Sequence, residues 1–409
     1  MELAAEINNG NIPNDAQPND GAVGICSRCV LERQTPHISF DQQGECSYCK
    51  IHDQLERDFP NDARGEAIFH RLVEQMKHVG RNKRYDCVVG VSGGTDSTYL
   101  LHLIRQFGLR PLAVHVDCGW NSEIAVSNIR KSLKKLDIDL WTYVVNWEEM
   151  KDLYRSCFQA SIPWVDGVTD IAILGALYRV AAEHGVRHVL VGNNFRLEGR
   201  QPTGWSDFDA RILLHIHHRF GEKVLETYPN LTFLQLFYYS VVKRVKMIRP
   251  FYYLPYIKSE AKKILQAQYD WTDYGGHHHE SVFTRYIIGV WLPRKFAIDK
   301  RRVTYSALVR SRQISRDEAL EALAHPPYDP ELMKRDHEYV MKKLDFSEQD
   351  FAKIWALPNR EHRDFPNYEV VFEKFARVGE FIFRFILPWK PLMFYRPMPT
   401  KSASEKRSS

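Results

Sequence analysis

Between Tyr85 and Gly192 the chain alternates short, continuous apolar runs with longer stretches whose apolar residues recur at helical spacing. The runs are YDCVVGV, PLAVHVD, LWTYVV and HVLVG. Between them lie Leu100, Leu101, Ile104 and Phe107, then Ile129, Leu133 and Leu136, then IAILGALYRVAAEHG. Strands apolar on both faces and separated by helices predict a parallel sheet covered on both sides, a doubly wound α/β domain with its core at roughly residues 80 to 195. Upstream, Ile68, Phe69, Leu72, Val73 and Met76 share one helix face. Downstream, Tyr256 to Gln268, Glu280 to Trp291, Ser315 to Leu323 and later segments to about Leu357 read as helices, so the C-terminal third is expected to be mainly helical.

Five segments follow from this pattern. Residues 1–24 are a polar, disordered leader; 25–60 hold a cysteine-rich module; 61–220 form the α/β domain; 221–360 are a helical substrate or partner region; 361–409 are an aromatic and basic tail. The tail, rich in Phe and interrupted by Arg384, Pro388 and Lys390, is suited to dock on the body, on a partner or peripherally on a membrane, in that order. Composition narrows the class. With 44% hydrophobic and 26% charged residues the chain is globular, and a formal net charge of +5 over 409 residues argues for basic pockets, not for nucleic-acid binding. No run approaches the roughly 18 apolar residues of a membrane helix, and the N-terminus has no signal-peptide core, so a cytoplasmic location is expected.

The strand VVGV runs into Ser92, Gly93, Gly94, Thr95, Asp96 and Ser97 and then into an amphipathic helix. Two glycines let backbone approach an anion, hydroxyls add donors, and the helix start contributes free N–H groups and its positive dipole end. This is neither GxxxxGK followed by Ser or Thr, nor GxGxxG. The bland alternative is a tight strand-to-helix turn. At the end of PLAVHVD, Asp117 sits at the carboxyl edge where nucleotides bind in open α/β sheets, or else caps the turn toward Asn121. Gly192, Asn193 and Asn194, followed by Glu198, form a second carboxyl-edge cluster, or a strand-ending turn.

Of seven cysteines, Cys26, Cys29, Cys46 and Cys49 form two CxxC knuckles. That pairing in an otherwise reducing-type sequence reads as metal ligation: one structural Zn²⁺, with an iron–sulfur cluster or redox dithiol as alternatives. A segment this small has too little core to order itself without the metal.

SGGTDS matches the SGGxDS signature of the PP-loop (N-type ATP pyrophosphatase) superfamily, whose fold is adenine nucleotide hydrolase-like. That resemblance implies ATP with Mg²⁺, the loop gripping pyrophosphate while AMP passes to a carbonyl-type oxygen. Ser92, Asp96 and Ser97 would be catalytic, Asp96 the Mg²⁺ contact, and Val114 to Val116 would line the adenine side. CSRCV with ISFDQQGECSYC, VSGGTDSTYLLHL, VDCGWNS, GGHHHESVFTRYI, LPRKFAIDKRR and SRDEALEAL together resemble the N-acetyl sugar amidotransferase family of bacterial surface-polysaccharide (O-antigen, lipopolysaccharide) biosynthesis, over roughly residues 25 to 330. It implies conversion of an acetamido group on a nucleotide-linked sugar to an acetamidino group, with ammonia supplied by a glutaminase subunit and a cyclase-like subunit of histidine-pathway type. The chain shows no glutaminase machinery of its own.

His277, His279, Glu280 and Arg285 are candidate substrate or pyrophosphate contacts, against a metal site or a structural loop. Lys295, Lys300, Arg301 and Arg302 form a basic cluster fit for phosphates, or a solvated basic face. Two rival readings remain: a tRNA-modifying PP-loop thiolase, and a zinc-ribbon binding protein with an inactive nucleotide fold.

Overall fold

The computed structural model describes residues 24–276 and 279–369. The leader, His277, His278 and most of the tail lie outside the described residues.

Five parallel strands form one sheet: β1 Cys87–Gly90, β2 Pro111–Asp117, β3 Asp139–Val144, β4 His188–Leu190 and β5 Lys246–Ile248, in the order β3-β2-β1-β4-β5. Val88 pairs with Leu112 on one side and Val189 on the other. Alternate strand residues feed two buried layers. Cys87, Val89, Val91 and Ala113 pack on the helices Ala63–Gly80, Thr95–Gln106 and Glu123–Leu136 through Phe69, Val73, Leu100, Ile104, Ile129 and Leu133. Val88, Leu112, Val114 and Val116 face the helices Trp147–Gln159 and Gly167–Glu183 through Met150, Leu153, Leu177 and Val180. Side-chain caps fix several starts: Asp62 accepts from Arg64 N–H, Ser122 from Ala125 N–H and Asn146 from Glu148 N–H, each worth about 1 kcal/mol.

Two elements depart from the expected pattern. β3, expected to be buried on both faces, is a sheet edge, with Leu140 and Trp141 exposed and Val144 70% exposed. β5 comes from the region expected to be helical, so the sheet draws on residues beyond 220. Its three residues give no periodicity to read; Met247 pairs with Val189 all the same.

The cysteine module is stitched by isolated bridges Ile25 to Glu32 and Phe40 to Cys46, then runs into the helix Ser47–Asp58. Beyond the sheet the chain is mainly helical: Pro330–Lys343 and Glu348–Ala356 pack around the segment holding buried Phe283, Tyr286 and Trp291, and Arg301–Arg310 packs with Arg316–Ala324 and against Phe195–Glu198. Among the described residues no helix is long and apolar enough to cross a membrane.

Candidate functional site

The strand order reverses at β1, whose neighbours β2 and β4 lie on opposite sides, so the carboxyl ends of β1 and β4 open a crevice at the switch point. Ser92, Asp96 and Ser97 line one side of it. Gly93 takes φ +78°, and a Cβ there would stand 2.2 Å from Ala125 O; only glycine fits. Gly192, at the end of β4, backs onto the same loop, and a Cβ on it would lie 3.1 Å from Ser97 N.

Within the loop, Ser97 Oγ accepts from Ser92 N–H at 3.2 Å and stands 3.3 Å from Ser92 Oγ. The amides at the helix start are held by neutral acceptors: Gly94 N–H by Ser92 Oγ at 3.3 Å and Thr95 N–H by Tyr274 Oη at 3.1 Å. A phosphate oxygen outcompetes such partners, because charge-assisted hydrogen bonds are roughly twice as strong as neutral ones. From the far side, Gly93 O accepts from Trp271 Nε1 at 3.1 Å and from Asn128 Nδ2 at 3.4 Å.

Asp96 lies in the first turn of that helix. Tyr256 donates its hydroxyl to Asp96 Oδ1, and Lys258 Nζ is 3.5 Å from Oδ2. Burial raises the Tyr256 and Tyr274 phenols well above their usual range, so both stay protonated donors at neutral pH. Sequence reasoning missed Asn128, Tyr256, Lys258, Trp271 and Tyr274. The aromatic turn WTDYGG was the available signal for two of them.

The crevice widens into a cavity of about 810 Å³ whose lining includes Ser92, Asp96, Ser97, Val114, Gly192, Asn193, His279, Glu280, Arg285, Lys300 and Arg301. The segment after GGHHH reaches it because Ser122 N–H bonds Glu280 O and Val282 N–H bonds Trp120 O, tying 280–282 to the stretch that follows β2. A Cβ on Gly94 would be 3.3 Å from Glu280 Oε1, so this carboxylate faces the phosphate loop. His279 Nδ1 accepts from Gly276 N–H at 3.1 Å. Asn193 Nδ2 reaches Glu198 Oε2 at 3.2 Å. Lys300 Nζ sits 3.5 Å from the Trp164 ring centroid, and desolvation pulls its pKa down to about 8 despite nearby Asp170, Asp166 and Glu198.

Five of the expected contacts lie away from the cavity or already have partners within the protein. Asp117 is absent from the cavity lining; its carboxylate caps the turn, accepting from Gly119 N–H at 2.9 Å and Asn121 Nδ2 at 3.2 Å. Lys295 also lies elsewhere, its ammonium held by the carbonyls of Trp355 and Leu357 at 2.8 and 2.9 Å. Arg285 lines the cavity, yet it is committed to a buried bidentate pair with Asp336, both bonds 2.7 Å. Arg301 is likewise spent on Asp299 and on the carbonyls of Ala322 and His325. Arg302 turns to Glu32 and Val30 O in the cysteine module.

In that module Cys26, Cys29, Cys46 and Cys49 are fully buried, with all four Sγ atoms within 4.8 Å of one another. Separations of 3.9 Å (Cys26 to Cys49), 3.7 Å (Cys29 to Cys46) and 3.6 Å (Cys46 to Cys49) bracket the ~3.8 Å edge of a tetrahedron with ~2.3 Å Zn–S bonds. The donor set therefore fits one tetrahedral, thiophilic ion.

Residues 280–378 match the family described as LPS biosynthesis protein WbpG-like, C-terminal domain. The C-terminal region is WbpG-like. This agrees with the surface-polysaccharide resemblance carried by the sequence motifs. An uncharacterised protein of Methanocaldococcus jannaschii is 25% identical over 170 residues, 41% of this chain and 58% of that one. The tRNA(Ile)-lysidine synthase of Chlamydia trachomatis serovar L2 is 26% identical over 111 residues, 27% of this chain and 25% of its own. The chain thus spans less than two thirds of either relative. Among solved structures, U34-tRNA thiolase NcsA from Methanococcus maripaludis with its four-iron, four-sulfur cluster aligns at TM-score 0.27 and 15% identity, covering 72% of this chain and 90% of that one. NH3-dependent NAD synthetase from Campylobacter jejuni aligns at 0.29 and 13%, covering 77% and 99%. Scores this low bear on neither substrate nor mechanism.

The WbpG-like region supplies part of the cavity lining. Glu280, Arg285, Lys300, Arg301 and Thr304 belong to it, whereas Ser92, Asp96, Ser97, Gly192 and Asn193 follow the carboxyl ends of β1 and β4.

Proposed function

We propose that the chain is an AMP-forming, ATP-dependent enzyme that converts the acetamido group of a nucleotide-linked N-acetyl sugar to an acetamidino group in lipopolysaccharide biosynthesis. The observation that carries this reading is one cavity lined by two unlike parts of the chain: a strand–SGGTDS–helix anion site and the WbpG-like region. An amide oxygen is a poor leaving group. Its attack on the α-phosphorus of ATP expels pyrophosphate and leaves an O-adenylyl imidate. Ammonia then adds to the imidate carbon, AMP departs, a proton is lost, and the amidine remains.

In this scheme the amides of Gly94 and Thr95 and the hydroxyls of Ser92 and Ser97 hold the pyrophosphate. Asp96 and Glu280 offer hard oxygen ligands to the Mg²⁺ that accompanies the nucleotide. Tyr256 and Lys258 orient the Asp96 carboxylate, one on each oxygen. Val114 and Val116 give the adenine an apolar surface. The four thiolates would hold Zn²⁺ in a closed, structural role, since none of the four positions is left for substrate. Ammonia comes from a separate glutaminase with its cyclase-like partner.

The test is to incubate the purified chain with ATP, Mg²⁺, an ammonium salt at alkaline pH and a panel of nucleotide-linked N-acetyl sugars. Substrate-dependent AMP and a product in which an imino nitrogen replaces the amide oxygen are expected, with glutamine alone inactive. ADP in place of AMP would sink the adenylation step. Product from glutamine by this chain alone would sink the partner, and sulfur transfer to tRNA would move the enzyme to the thiolase class.

A further inference from the structure

The helix Arg301–Arg310 has two working faces. Arg301, Thr304 and Tyr305 line the cavity, with Lys300 just before them. Val303, Ser306, Ala307 and Arg310 are buried on the other side, at the i, i+3, i+4, i+7 spacing of one helical stripe. That stripe meets the cysteine module. Ser306 Oγ accepts from Val30 N–H at 3.2 Å, and in the chain just beyond, Arg316 donates to the carbonyls of Cys26 and Cys29.

Arg310 goes further, to the sulfurs themselves. Its Nη2 is 3.1 Å from Cys29 Sγ and 3.8 Å from Cys46 Sγ, and its Nε is 3.2 Å from Cys49 Sγ. Cys26 Sγ accepts instead from backbone N–H groups, those of Cys29 at 3.5 Å and Cys46 at 3.3 Å. Every sulfur therefore has a donor. Arg310 is only 5% exposed, and a guanidinium buried that deeply needs a negative partner. Among the described residues, the thiolates are the anions within its hydrogen-bonding reach. Four thiolates around a divalent ion leave a net dianion, which in a buried setting needs a compensating cation just as much.

We propose that Arg310 is a positioning residue of the metal centre: it neutralises and hydrogen-bonds the thiolates, and through its own helix it ties the metal site to the cavity wall that carries Lys300, Arg301 and Thr304. The proposal rests on the reading of the four cysteines as metal ligands. Outer partners of this kind tune affinity by 10- to 100-fold. Donation to a thiolate also lowers the energy of its lone pairs, and that has a spectroscopic signature.

The test uses the full chain loaded with Zn²⁺ or with Co²⁺, as parent, Arg310→Met and Arg310→Lys. Arg310→Met should release zinc to a chromogenic chelator roughly 10- to 100-fold faster. Its thiolate-to-cobalt charge-transfer band should shift to lower energy. Arg310→Lys keeps the charge but offers a compact point donor in place of a planar fork, so it should fall between, and it serves alone if Arg310→Met does not fold. Hydrogen exchange in the parent should rise over 300–310 on chelation, and much less over Gly167–Glu183. Unchanged release and an unmoved band in the folded variants would overturn the proposal, as would exchange over 300–310 that ignores chelation. A parent that binds neither ion removes the centre, and this proposal with it.

Discussion

Tyr256 donates its hydroxyl to Asp96, joining a residue beyond the fifth strand to the first turn of the phosphate-loop helix across 160 positions of sequence. The contact orients the one loop carboxylate that can meet a metal-bound nucleotide, and Lys258 supports it from the other oxygen. Asp96→Ala should abolish AMP formation, by at least about 100-fold, with the fold intact because the side chain is part-exposed at a cavity. Tyr256→Phe removes one charge-assisted bond, worth about 1.5–3 kcal/mol, so roughly a tenfold or greater loss is expected. Pyrophosphate release assays with circular dichroism as the fold control decide it; a folded Asp96→Ala protein with parental turnover contradicts the role.

The backbone of the loop can be tested apart from its side chains. Gly93→Ala meets both a left-handed φ of +78° and a backbone oxygen 2.2 Å away, whereas Gly185→Ala meets φ +64° with nothing within 4 Å. Gly185→Ala should cost only the backbone strain, about 1–2 kcal/mol. Gly93→Ala should cost more and should also lose ATP binding. Urea midpoints and nucleotide titration of the pair would show it, and equal costs would mean that the helix carrying Ala125 yields easily.

Much of this was legible beforehand because local signals and tertiary context agree. Continuous apolar strands needed both faces buried, and β1, β2 and β4 have them so. SGGTDS needed a strand before it and a helix after it, and both are present. The CxxC pairs close to thiolate distances. What was not legible is long-range. Nothing local to Lys246–Ile248 marks a strand; its pairing with His188–Leu190 makes it one. Lys295, Arg285 and Arg301 look alike in sequence to Lys300, yet partners up to 62 residues away decide which of them is held within the protein. Tyr256 and Tyr274 read as ordinary aromatics until the fold carries them onto the loop.

Metal content offers an independent check. The purified chain should hold about one Zn²⁺, and Cys46→Ser should lower soluble yield and thermal stability more than the turnover of the protein that survives. Elemental analysis against protein concentration measures the first, and thermal melts with and without chelator the second. A brown, iron-containing protein would replace the zinc assignment with a cluster.

Lys300 ties the cavity to pH. Desolvation beside Trp164 lowers its folded pKa from 10.5 to about 8, against the opposing pull of Asp170, Asp166 and Glu198. Between those two values the unfolded chain holds a proton on this lysine that the folded chain has released. Stability rises with pH wherever the unfolded state binds more protons, so the strain of burying the ammonium is fully present below about pH 8 and fades as pH climbs toward 10.5. Lys300→Met keeps the stem and removes the charge. Its stability advantage over the parent should be largest near pH 7 and should shrink steadily as the pH is raised toward 10, as read from paired urea midpoints. Other titrating groups are shared by both proteins and cancel in the difference. A gap that stays constant, or widens with pH, would mean that the ammonium is solvated or well paired in the folded cavity, and Lys300 would then be a permanently charged contact for substrate phosphates.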